Sequence, residues 1–266
     1  MRIVLTAVTA GLLVAALAAC QRKAETKAPA APAAPLTFIQ TSPDATVRLV
    51  LDPGVGARPG LRGKLYGDGV KELTSFADQA HSDRARLSQK GYPSPAYERD
   101  LVWSLTAATP NLASARETWS DYTGGAHPNH GWLGVIWDVH SDREIPRGEL
   151  FRVDADQGQL DALLCQAVKA AKSRRAGAAA INEEVGTWSC PKWDDSNFVF
   201  APSTTAGKIG GLTFLFDPYV LGPYAEGDYA VTVPQSDFRI ALAPAYADEF
   251  AGAPAPEPAA RPAPKR

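Results

Sequence analysis

The chain lacks an excess of basic charge, an internal repeat, a membrane-length apolar run and the common catalytic signatures that can be read from spacing. Its 27 lysines and arginines against 29 aspartates and glutamates give a formal charge of −2, so it has no electrostatic footprint of a nucleic-acid binder. Gly207-Lys208-Ile209 lacks the upstream glycine and the Ser/Thr of a phosphate-binding loop, and no Gly-x-Ser-x-Gly elbow occurs. The 4 histidines fall in no strong zinc spacing, so no metal and no cofactor is expected. A non-enzymatic role is the expectation that remains.

The ends are informative. Arg2 precedes an apolar run through Val14, and small residues lead into Leu17-Ala18-Ala19-Cys20. This reads as a secretory signal over residues 1–19 closing in a lipobox, with Cys20 lipidated as the first residue of the mature chain, because the run is too short for a span. Gln21 stands where an aspartate favours inner-membrane retention, so an outer-membrane lipoprotein facing the periplasm is expected. Residues 20–36 are rich in alanine and proline, with no sizeable apolar side chain before Leu36, and read as an extended tether. Residues 251–266 repeat that composition and read as a disordered tail. The stretch between is long enough for one large or two closely packed domains with a real core. Setting Cys20 aside leaves Cys165 and Cys190, a candidate disulfide in an oxidising envelope; two buried thiols or a histidine-assisted metal site would look the same.

Periodicity assigns elements along the folded part, residues 37–250. Ala45 to Leu51 alternates as a strand, and Leu61 to Leu87 carries one apolar helical face, whose early glycines, Gly63, Gly67 and Gly69, suggest a late start. Tyr97 to Thr109 and Asn111 to Tyr122 read as two strands joined at Thr109-Pro110-Asn111. Gly158 to Lys172 is an amphipathic helix with Cys165 beside its stripe. Short strands follow near Asn197–Ala201, Gly211–Phe216 and Tyr229–Val233. Irregular mixing of the two element types predicts an α+β class, an antiparallel sheet packed with helices.

Three of the histidines fall in Tyr122–His140, YTGGAHPNHGWLGVIWDVH. From Gly131 the parity predicts a core face of Leu133, Val135, Trp137 and Val139, with His130, Trp132, Ile136, Asp138 and His140 opposite. An acid/base or metal cluster would have to draw on His127, His130, Asp138 and His140, yet strand neighbours two apart sit nearly 7 Å from each other by strand rise, roughly. Gly124-Gly125 fits a tight hairpin loop and equally a ligand-contacting loop.

Tyr122-Thr-Gly-Gly-Ala-His-Pro-Asn129, the Trp137-Asp138 strand end, Glu149-Leu150-Phe151, Leu212-Thr-Phe-Leu-Phe216, Asp217-Pro-Tyr219, Gly222-Pro-Tyr-Ala225 and Val231-Thr-Val-Pro234 lie in order along residues 97–242. Together they resemble the RsiV/PdaC-like extracytoplasmic domain, found in a lysozyme-sensing anti-sigma factor and beside certain peptidoglycan deacetylases. The resemblance implies an α+β domain over residues 97–250, preceded by a strand-helix part over residues 37–96, that binds peptidoglycan or a lysozyme-like protein without cleaving it. Two departures matter: a lipoprotein signal stands in place of a transmembrane helix, and the deacetylase Asp-Asp and paired-histidine motifs are absent. Candidate ligand-contacting residues are Tyr122, Gly124, Gly125, His127 and Asn129, with Tyr219 and Tyr224 downstream, since aromatic faces stack on sugars and anchor interfaces. A turn with packed aromatics would explain the last two as well. The competing expectation is a wall glycan or peptide hydrolase that uses the His/Asp set, and it requires those side chains to converge in one cleft.

Overall fold

The computed structural model describes residues 35–181 and 188–256. The signal, Cys20, nearly all of the tether and the end of the tail lie outside the described residues. The larger sheet has the order β1 (Thr37–Thr41), β2 (Ala45–Leu51), β3 (Tyr97–Ala108), β4 (Leu112–Tyr122), β5 (Asn129–Asp138) and β6 (Arg143–Glu144). The α+β class stands, but β2 and β3 pair parallel, so the expectation of a purely antiparallel sheet is corrected. A parallel pair needs a long crossover, and here it runs through the short α1 (Pro53–Gly56) and then α2 (Pro59–Gln89). The sheet is therefore continuous across the division expected at 96/97.

The sequence explains both ends of the crossover. Asp52 accepts from Val55 N–H at 2.7 Å and from Leu105 N–H at 2.9 Å, capping α1 while tying it to β3. Pro59 opens α2 where its missing N–H costs nothing. The helix therefore starts earlier than its glycines suggested. Gly63 and Gly67 face open space and Gly69 packs on Leu49, while Leu61, Leu65 and Leu73 are buried; that burial outweighs about 0.5–1 kcal/mol per glycine. At the far end Gly91, at φ 79°, and Tyr92 donate to the Ser88 and Leu87 carbonyls, a Schellman stop.

The hairpin at Thr109-Pro110-Asn111 forms as expected, with Thr109 Oγ1 accepting from Leu112 N–H at 2.9 Å. A second sheet, β7 (Asn197–Pro202), β8 (Ile209–Phe216) and β9 (Tyr229–Pro234), is antiparallel and approaches β4 and β5. Phe200 N–H donates to Ser114 Oγ at 2.9 Å, and a Cβ on Gly134 would come within 2.4 Å of the Phe198 carbonyl oxygen. Val135 and Trp137 consequently join the core under α2, whereas Ile136 joins the core of the smaller sheet. The single core face expected for β5 is thus corrected: both faces are packed at its centre, while Leu133 is 43% exposed.

Helix α3 (Gln157–Ser173), capped by Asp156, lays Leu160, Leu164 and Val168 into the aromatic core of the smaller sheet. Cys165 and Cys190 form a disulfide with Cα atoms 5.1 Å apart, which fastens α3 to the loop carrying the buried Trp193. Short helices α4 (Gln235–Phe238) and α5 (Pro244–Ala247) close the chain. The segment after them corrects the tail boundary. Ala251 and Ala255 N–H donate to the Ile209 and Pro202 carbonyls, and the Ala253 carbonyl accepts from Thr204, so residues 251–255 strap the smaller sheet instead of leaving it.

Candidate functional site

The long hairpin between β4 and β5 carries the histidine strip. Gly124 has φ 89°, and a Cβ there would meet Ser94 Oγ at 3.0 Å, so this glycine answers to conformation and space. Tyr122 closes β4 opposite Glu98, Gly125 lies in an exposed bend, and Asn129 donates to Asp121 Oδ1 at 3.1 Å. These four shape the loop that presents His127.

A second loop, after β8, comes to meet it. Tyr224 stacks on His127 with centroids 4.2 Å apart, meets His130 edge-on at 5.8 Å and leans on Tyr219 at 5.4 Å. Its hydroxyl donates to the Pro128 carbonyl at 2.9 Å. Residues almost a hundred positions apart thus form one aromatic cluster, and three of the expected contact residues, His127, Tyr219 and Tyr224, are brought together. Asp138 and His140 are not. Asp138 ends β5 about 26 Å from His130 by strand rise, His140 lies in the turn beyond it, and Asp138 is occupied in capping His140 and Ser141 N–H at 2.9 Å each. The expected His/Asp cluster is not assembled, and among the described residues no three His, Cys, Asp or Glu side chains could share a metal ion.

Tyr219 has an unusual backbone. The turn Asp217-Pro218-Tyr219-Val220 is closed by Val220 N–H to the Asp217 carbonyl at 3.2 Å, with Tyr219 at φ 72°. The left-handed region disfavours any side chain by roughly 1–2 kcal/mol, yet Tyr219 is 58% exposed. Core burial does not compensate for that conformation. The neighbouring anchors do. Asp217 accepts from Trp132 N–H at 2.8 Å; burial pushes its carboxyl up, and this N–H offsets part of the rise. On the other side Glu226 accepts from Lys172 at 2.7 Å, from Tyr229 at 2.6 Å and from Ala179 N–H at 2.7 Å.

This ionic anchor fixes the loop to α3. Lys172 also donates to the Leu221 carbonyl, and Arg175 binds the Glu226 carbonyl and lies over the Tyr229 ring at 3.7 Å. Burial would raise the Glu226 carboxyl, but Lys172, Tyr229 and Ala179 overcome it and hold it at about 2. Tyr229 moves the opposite way, to about 12, through burial and its bond to Glu226. A Cβ on Gly222 would lie 2.3 Å from Glu226 Oε2, so glycine is required there by space. Sequence reasoning missed Lys172 and Glu226. The signal was present: Lys172 continues the buried spacing Leu160, Leu164, Val168 by one more step of four.

A family model described as "Protein of unknown function (DUF3298)" matches residues 149–236, the segment that holds α3, the smaller sheet and the tyrosine loop. Among the solved structures that share the fold are two members of that family. One is a member of the DUF3298 family from Bacteroides fragilis, 18% identical, covering 77% of this chain and 87% of that one with a TM-score of 0.51. The other is a DUF3298 family protein from Pseudomonas aeruginosa PAO1, 15% identical, covering 81% and 94% with a TM-score of 0.55. No curated protein matches the chain significantly. No helix among the described residues is long and apolar enough to cross a membrane.

Proposed function

We propose that this chain is a lipid-anchored recognition protein of the cell envelope, tethered through Cys20 at the outer membrane, whose domain binds peptidoglycan or a lysozyme-like protein without cleaving it. The contact surface is the cluster of His127, Tyr219 and Tyr224. The observation that supports it is Tyr219, an exposed aromatic side chain held at a costly backbone conformation by a loop that is anchored on both sides. Strain of that kind gathers where the chain meets a ligand, and a ring already fixed in place loses little entropy on binding. The slight negative charge of the chain favours a basic lysozyme only modestly. Hydrolysis by His127, His130, Asp138 and His140 has lost its geometric support, since two of the four stand at or beyond the opposite end of β5.

Co-sedimentation of the protein with purified peptidoglycan, run beside binding to and inhibition of a c-type lysozyme, separates the two ligand classes. Saturable binding to one of them is expected, reduced about tenfold or more by Tyr219→Ala combined with Tyr224→Ala. Release of soluble wall fragments would replace recognition by hydrolysis. Failure to bind either would overturn the proposal.

A further inference from the structure

A different surface also carries the marks of a binding site. Phe151 and Leu242 form an isolated antiparallel bridge, and Arg152 N–H donates to the Ala241 carbonyl at 2.8 Å. Val153, in a turn, and Ile240, in the 3-10 helix Arg239–Ala241, each stand one residue beyond that bond. They are the two most exposed large apolar side chains of the described residues, at 108% and 81%. Single exposed aliphatics are ordinary on a protein surface; an adjacent pair is a patch, kept in water at about 25 cal/mol per Å².

Beside the pair opens a pocket of about 220 Å³, room for one long side chain. Ala155 and Leu163 give it an apolar lining with the buried Leu160 and Phe238 behind them, and Asp154, Asp156 and Asp237 stand on its rim against a single guanidinium, Arg152. Arg152 is committed to Asp154 at 2.9 and 2.8 Å. Arg239, the next nearest in sequence, is drawn to Gln235 and to the Phe250 carbonyl. Asp156 caps Gln159 N–H and Asp237 accepts from Ser236 Oγ, so neither is neutralised by a cation among the described residues.

We infer that Val153, Ile240 and this pocket form a docking site for a partner protein segment in which an aliphatic side chain lies next to an arginine or lysine. The methylene stem of the basic residue rests on Ala155 and Leu163, its charged head reaches Asp156 and Asp237, and the neighbouring aliphatic side chain covers Val153 and Ile240. A long basic side chain suits such a site because its stem is apolar and its tip is not. The inference does not rest on the tyrosine cluster or on the identity of its ligand.

The test uses acetyl-Leu-Arg-Leu-amide as probe, with the citrulline peptide as its uncharged isostere, titrated into the isotope-labelled full chain and followed by NMR. Saturable shifts at Ala155, Leu163, Ile240 and Ala241 are expected, with the citrulline peptide weaker by about fivefold or more. Asp156→Asn with Asp237→Asn lowers affinity for the arginine peptide by a similar factor, and asparagine keeps the helix cap. Asp237→Asn alone, which touches no cap, keeps the test decisive should the double variant lose its fold. Equal binding of both peptides, shifts scattered over the surface, or no saturation at millimolar peptide would overturn the inference.

Discussion

Each of the two cores borders a carboxylate removed from water, and only one of these is paired. Glu226, beside the core of the smaller sheet, meets Lys172, Tyr229 and a backbone N–H and is held at about 2. Glu117, at the centre of β4 and 4% exposed, has no such partner. Burial pushes it up to about 7, Glu72 of α2 adds to the rise, and Arg99 and the Trp103 side chain offset only part; Arg99 is already shared between Glu72 and Asp121. The same functional group therefore locks a loop in one place and weakens a helix–sheet contact in the other, and the partner decides which. The locked loop is the one that carries Tyr219 and Tyr224.

The largest effect should come from breaking the locked side. Lys172→Met leaves Glu226 buried without its cation and is expected to cost about 3–5 kcal/mol in denaturant unfolding; adding Glu226→Gln should recover part of that loss, which a purely steric role for Lys172 would not allow. Reducing the disulfide, or Cys165→Ser with Cys190→Ser, opens a loop of sequence separation 25 and should cost about 3 kcal/mol by the same measurement.

The unpaired side sharpens the comparison through pH. The folded value of Glu117 lies above its ordinary 4.5, so its contribution is complete below about pH 4.5 and is lost as pH rises through 7. Glu117→Gln should remove that slope and stabilise the protein at pH 8 by on the order of 2–3 kcal/mol. Glu226 slopes the other way: its folded value lies below 4.5, so its contribution is present above pH 4.5 and fades as pH falls toward 2. Thermal unfolding from pH 3 to 8, with and without each glutamate, checks both signs. The smallest stability effect is Tyr219→Gly, which should stabilise the domain by about 1 kcal/mol by relieving the left-handed tyrosine while weakening ligand binding.

Much of this fold was legible in sequence because its elements are regular. The alternation of Ala45–Leu51, the Thr109-Pro110-Asn111 turn and the stripe of α3 each name an element whose burial follows its period. The parallel pairing of β2 with β3 was not legible, since strand patterns do not encode partner direction and β1, only Thr37 to Thr41, adds no long run to reveal the edge. The packing of both faces of β5 was hidden for a related reason: Gly134 looks neutral in sequence, yet its missing side chain lets the smaller sheet approach. At the site, His127, Tyr219 and Tyr224 could be named from residue type. Their convergence could not, because it depends on Lys172 reaching Glu226 across 54 positions, and a buried ion pair leaves only one charged residue in an apolar stripe as its trace.

The most direct test of the tyrosine cluster is hydrogen exchange of the protein with and without saturating peptidoglycan fragments or lysozyme. The account predicts new protection confined to residues 123–130 and 217–226, abolished by Tyr224→Ala. Protection elsewhere, with those two loops unchanged, would contradict it.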